Sequence, residues 1–175
     1  MNARPIATAH SIVGFITCAC LIIFYAVGEP FGTINDFGNA ALGLLSLALA
    51  CLLRPSRVLV GVAAVGAMLT VVGTVLVVSN ITGYYLAGLW SAAGFGLIGV
   101  WLIGISRRVR RAGTVAGIVM VLGLVGVPGI FLRLDDLDTA PWWTFVAGIS
   151  WAGTYLLFPA WSLRLARQDS AERLG

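Results

Sequence analysis

The chain has 175 residues, 59% hydrophobic and only 10% charged, with a formal net charge of +4 and a mean hydropathy of +0.99. A soluble domain carries about 25% charged residues, so too few remain here to coat a water-facing surface. A soluble enzyme, a disordered chain and a nucleic-acid-binding domain are all poor fits, and the composition points to a polytopic membrane protein.

A membrane-crossing helix needs about 20 mostly apolar residues. Six stretches meet that requirement, at 6–27, 37–53, 58–78, 84–105, 112–132 and 142–163. Hydrocarbon offers no partner to a bare N–H or C=O, so each span must satisfy its own backbone or close into a barrel. The runs are continuously apolar rather than alternating, which disfavours a barrel. The expected fold is therefore all-α, a single transmembrane domain of six helices with short linkers and antiparallel neighbours.

The first span holds His10, the single histidine. The expectation is a ring at headgroup level or one donating to a neighbouring helix; haem or proton chemistry is the functional alternative, with bis-His haem excluded within one chain. Ala26-Val27-Gly28 has small residues where a signal peptidase would read them, but the run is long enough to span. Cys18 and Cys20 lie two apart, on nearly opposite sides of a helix. With Cys51 they are expected to be buried structural thiols.

The segment from Gly28 to Asn39 carries Pro30, Gly32, Asn35 and Asp36, a turn-rich composition. Asn35 or Asp36 is expected to cap the second helix by accepting a free N–H. Asn39 enters the membrane, where its amide needs partners. The functional alternative is a pocket in which Glu29, Asp36 and Asn39 converge on a cation or a polar headgroup.

Small residues recur at helical spacing: Gly43, Ser46 and Ala50; Gly88, Ala92 and Gly96; Gly113 and Gly117; Thr144, Gly148 and Ala152; and His10, Gly14 and Cys18 on the first span. Lipid is as apolar as Leu, so close backbone approach must drive helix association, and small residues permit it. Packing within one bundle is preferred to a dimer interface. Pro128 and Pro159 fall inside spans and are expected to kink them. Asp135, Asp136 and Asp138 could offer oxygens to Ca²⁺, but their spacing is not that of a calcium loop, and a solvated loop is preferred. Asn80-Ile81-Thr82 fits the glycosylation pattern and is taken as chance.

All eleven basic residues are Arg. Arg4, Arg54, Arg57, Arg107, Arg108, Arg110, Arg111, Arg164, Arg167 and Arg173 fall on one side of the six-span arrangement and Arg133 alone on the other. The positive-inside bias then puts both termini in the cytoplasm. The Arg107–Arg111 turn would also attract anionic headgroups. The Arg, Ala, Gly and Val bias suggests a GC-rich bacterial genome, hence a cell-membrane location. The expected function is non-enzymatic: packing or interaction with membrane lipids, a partner membrane subunit or a second copy, with no cofactor and no nucleic acid. The alternatives are a small transporter or channel for a neutral or weakly polar solute, and an enzyme acting on lipid.

Overall fold

A computed structural model describes residues 3–53, 56–109 and 111–171. Arg54, Arg110 and Arg173 lie outside these residues, as do the side chains of Arg107, Arg108 and Arg111. The described elements are all helical: α1 (Arg4–Val27), α2 (Phe31–Leu53), α3 (Arg57–Val78), α4 (Tyr84–Val109), α5 (Arg111–Val121), a 3₁₀ segment (Leu122–Gly126), α6 (Val127–Phe131), α7 (Trp142–Ala152), a π-helical segment (Gly153–Leu157) and α8 (Phe158–Ala171). They make six rods, the fifth and sixth interrupted. Five are long and apolar enough to cross a membrane, Arg4–Val27, Phe31–Leu53, Arg57–Val78, Tyr84–Ser106 and Ala112–Phe131. The sixth rod is equally apolar over its first half, but the π segment divides it.

One boundary departs clearly from expectation. α2 begins at Phe31 rather than Phe37. Its cap is Glu29, whose Oε2 accepts the Thr33 N–H at 3.1 Å and the Thr33 hydroxyl at 2.9 Å. A carboxylate beside a helix start also meets the positive end of the helix dipole. Asn35 and Asp36 therefore cap nothing and sit inside the helix. At the other end of the preceding helix Gly28, at φ +86°, closes α1 and returns its N–H to the Phe24 carbonyl. Ser56 caps α3 through the Leu59 N–H at 3.2 Å.

Both mid-span prolines change the helix in the turn before them. Pro159 has no N–H to return to the residue-155 carbonyl, and its ring crowds that carbonyl. The chain widens to π geometry, with the Phe158 N–H donating five residues back to the Gly153 carbonyl. Before Pro128 the chain tightens instead, into the 3₁₀ segment Leu122–Gly126.

α4 is the central helix: 72% of its spanning window is buried, against 33% in each of the other four long spans. Two glycine pairs set its crossings. A Cβ on Gly66 would fall 2.6 Å from the Gly94 carbonyl oxygen, and one on Gly94 equally close to that of Gly66. Gly99 and Gly117 do the same between α4 and α5 at 2.7 Å. Only backbone without a side chain approaches that closely. Around α4, Ile98, Trp101, Leu102, Met120 and Phe158 are fully buried and fill the middle of the molecule.

α1 closes the ring of rods by packing on α2 and on α8. Gly14 forms the notch that receives the Pro159 ring. Of the three thiols, Cys20 is buried and Cys18 half-buried, but Cys51 is exposed. The expectation of a buried Cys51 is corrected: it lies on the outward face of α2, where a small apolar thiol costs nothing against lipid.

Candidate functional site

Two hydrogen-bonded clusters join the rods, one in each half of the bundle. The first is centred on His10, which is fully buried and bonded to neighbouring helices. Its Nε2 lies 3.3 Å from Ser46 Oγ on α2 and its Nδ1 lies 3.0 Å from Ser162 Oγ on α8. The Ser46 hydroxyl proton is already donated to the Leu42 carbonyl at 2.7 Å. Ser46 therefore accepts from His10, which fixes the proton on Nε2 and leaves Nδ1 to accept from Ser162. The ring also packs on Phe158, with centroids 4.1 Å apart. His10 is a three-helix staple whose two nitrogens are both occupied.

The second cluster lies toward the end of the bundle that carries the acidic loops. It is a directed chain. The Tyr155 hydroxyl donates to Asn39 Oδ1 at 2.6 Å, Asn39 Nδ2 to Asn35 Oδ1 at 3.4 Å, and Asn35 Nδ2 to the Thr17 carbonyl at 3.1 Å. The chain crosses from the π segment through α2 to α1. Thr74 on α3 adds a bond to the Asp36 carbonyl oxygen at 2.7 Å. Beside these groups is a small cavity of about 10 Å³, lined by Asp36, Asn39, Ser91, Tyr84, Trp151 and Tyr155 among others. That is room for one group the size of a water. Phe95 lines its inner side.

The small cavity shares Tyr84, Gly88 and Trp151 with a much larger one. This second cavity, of about 430 Å³, is an apolar cleft over the start of α4, between the end of α1 (Phe24, Tyr25) and α7 (Phe145, Ala147, Gly148). Tyr25, Phe145 and Gly148 on its rim are exposed, as are Asp135 and Leu137 of the acidic linker, so it opens on the side of the bundle and towards that linker. The opening follows from the interrupted rods. α1 is held to α8 and the π segment, whereas α7 leans onto α4, α5 and the 3₁₀ segment. The gap that remains between α1 and α7 is the cleft.

The residues singled out from sequence are distributed unevenly over this arrangement. Asp36 and Asn39 face the small cavity, while the Glu29 carboxylate is turned back onto Thr33. Asp135 accepts from the Gly83 N–H at 3.1 Å and Asp136 from the Asp138 N–H at 2.9 Å. These carboxylates are spent on loop backbone, and no group of three His, Cys, Asp or Glu side chains comes together among the described residues. Among the small residues, Ala92 is buried and Gly96, Gly113 and Gly117 lie against Leu124, Ser106 and Ile103. Gly148 corrects the packing expectation: a Cβ there would meet nothing within 4 Å, and at Gly88 only Trp151 at 3.8 Å. Both face the cleft. Ala152 is likewise exposed rather than packed.

Asn35 and Tyr155 were not among the sequence candidates. Asn35 and Asn39 stand four apart, on one helical face, a signal that becomes visible once α2 is known to start at Phe31. Nothing in the sequence links Tyr155 to Asn39 across 116 positions.

Fold and site together define an α-helical membrane bundle with a side-opening apolar cleft backed by a buried polar chain. No protein-family model, curated protein or solved structure matches the chain.

Proposed function

We propose that this is a non-enzymatic cell-membrane protein that takes an apolar molecule sideways from the bilayer into the cleft between α1 and α7. In this reading both termini are cytoplasmic, as the arginine distribution favours, and the cleft opens to the outer half of a bacterial membrane. The observation that carries it is the cleft itself. Its volume of about 430 Å³ falls in the range of small-molecule sites, about 300–1,000 Å³, and its lining of aromatic and aliphatic side chains with a few polar groups is what such sites present. Permeation of a solute fits less well, because Phe95, Ile98, Trp101 and Leu102 fill the path beyond the small cavity.

A photoreactive long-chain alcohol tests the reading. With the protein in phosphatidylcholine nanodiscs, label should concentrate on residues 84–92 and 142–151. Gly148→Trp places a bulky ring at the rim of the cleft, where a Cβ meets nothing within 4 Å, and should remove most of that label. Uniform labelling of the lipid-facing surface, unchanged by Gly148→Trp, would overturn the proposal.

A further inference from the structure

Asp36 is the feature that the packing of the bundle leaves without a role. Its side chain is half-buried and lines the small cavity. Its backbone carbonyl is bonded to Thr74, but among the described residues its carboxylate has no hydrogen-bond donor and no cation in reach. Taking a carboxylate out of water without a partner is costly, and the neighbouring polar groups do not answer the charge. The Asn39 and Asn35 amides are drawn along the chain toward Thr17, and the Tyr155 proton goes to Asn39.

The rest of the surroundings have one sign. Among the described residues, the two cavities are lined by Asp36 and Asp135 and by no Arg. The rings of Tyr84, Trp151 and Tyr155 line the space with Asp36. Aromatic faces attract a cation through their quadrupole, more strongly when it is desolvated. An ammonium beside it favours the charged form of the Asp36 carboxyl, which then serves as its counter-ion. The space beside it holds one water-sized group, which suits an ammonium. The adjoining cleft is apolar and shares Tyr84, Gly88 and Trp151 with the small cavity, and Gly88 brings no side chain to that shared wall.

We infer that the two cavities are one bipartite site for a cationic amphiphile, with a primary ammonium at Asp36 among Tyr84, Trp151 and Tyr155 and an apolar tail in the cleft beneath Gly148. This rests on the cleft-binding reading and names its ligand class. The occupant is a single-chain amine and not a phospholipid. A phosphate would enter a space with two carboxylates and no basic side chain, where its charge is repelled.

Competition against the photoreactive alcohol in phosphatidylcholine nanodiscs separates the possibilities. Dodecylamine and dodecanol share a tail, and at pH 7 the amine is protonated, as a lysine side chain is. Dodecylamine should displace the label at a concentration at least tenfold below dodecanol. Asp36→Asn should abolish that preference while leaving dodecanol competition intact, and Asp138→Asn should keep it, because Asp138 lines neither cavity. Equal competition by the two in the unaltered protein, or a preference that survives Asp36→Asn, would overturn the ammonium site while the cleft reading stands. Competition by phosphatidylethanolamine as strong as by dodecylamine would overturn the single-chain assignment. If neither compound competes and Gly148→Trp leaves labelling unchanged, the cleft reading itself fails and the inference falls with it.

Discussion

Each polar side chain inside a membrane bundle must find a partner among a few neighbours, and here some partners are on the same helix and others on a neighbouring one. His10 uses both nitrogens and Asn39 uses both ends of its amide. Interhelical hydrogen bonds in a membrane average about 0.6 kcal/mol and reach about 1.7. The Tyr155–Asn39 bond, at 2.6 Å and buried, belongs at the upper end. A double-mutant cycle of Tyr155→Phe and Asn39→Ala, read from reversible unfolding in bicelles, should give a coupling of about 1–1.7 kcal/mol. A coupling near zero would mean that the hydroxyl and amide do not act as a pair. Ser150 is the reverse case: its hydroxyl is buried without a partner. Ser150→Ala should be neutral or stabilising by up to about 1–3 kcal/mol, the penalty for a buried unsatisfied group. Residue types alone showed that His10 and Asn39 need partners. Which atoms supply them depends on helices that lie up to 152 positions apart in sequence, and no local pattern encodes that pairing.

At the level of elements, the spans were legible because hydrocarbon imposes length and continuous apolarity, and these are properties of a run of residues. The start of α2 was not. Gly32, Asn35 and Asp36 have the composition of a turn, and a Glu two residues before a helix competes poorly with them as a cap on propensity alone. The Glu29–Thr33 bonds decide it. The prolines were legible as breaks but not as the kind of break, since the same residue gives a 3₁₀ segment before Pro128 and a π segment before Pro159. The π segment is the element on which the site depends, because it carries Tyr155 and sets the direction in which α7 leaves α8. Pro159→Ala restores an N–H to the residue-155 carbonyl and removes the ring from the Gly14 notch. Closing the π turn to α changes the register by one residue and rotates α7 by roughly 100°. Photolabelling between residues 142 and 151 should then fall by at least half while far-UV circular dichroism keeps its helical content. Unchanged labelling would show that the cleft does not depend on the π turn.

Across the whole molecule the glycines have two opposite duties, and spacing in the sequence does not tell them apart. Gly88 and Gly148 stand in small-residue stripes just as Gly96 and Gly117 do, yet a Cβ would meet only Trp151, at 3.8 Å, at Gly88 and nothing within 4 Å at Gly148, whereas the second pair lies tight against other helices. The difference lies in where neighbouring rods diverge, which is set by the interruptions in the fifth and sixth rods. At the crossings of α4 the neighbour is rigid backbone. A side chain on Gly94 would meet the Gly66 carbonyl and the Thr70 N–H at 2.6 and 2.9 Å. Neither can move without shifting a helix that also carries Thr74 to Asp36. Gly94→Val should therefore destabilise at or beyond the top of the usual range for overpacking, about 1–3 kcal/mol. Gly61 faces nothing within 4 Å, and Gly61→Ala should stay within about 0.5 kcal/mol of the unaltered protein, as a surface substitution does. Both are measured by the same bicelle unfolding assay, so the difference between them isolates the crossing from the general effect of adding a methyl to a helical glycine. Equal small effects would mean that α3 and α4 can separate without cost. The central position of α4, and with it the cleft that α4 floors, would then need another cause than backbone contact.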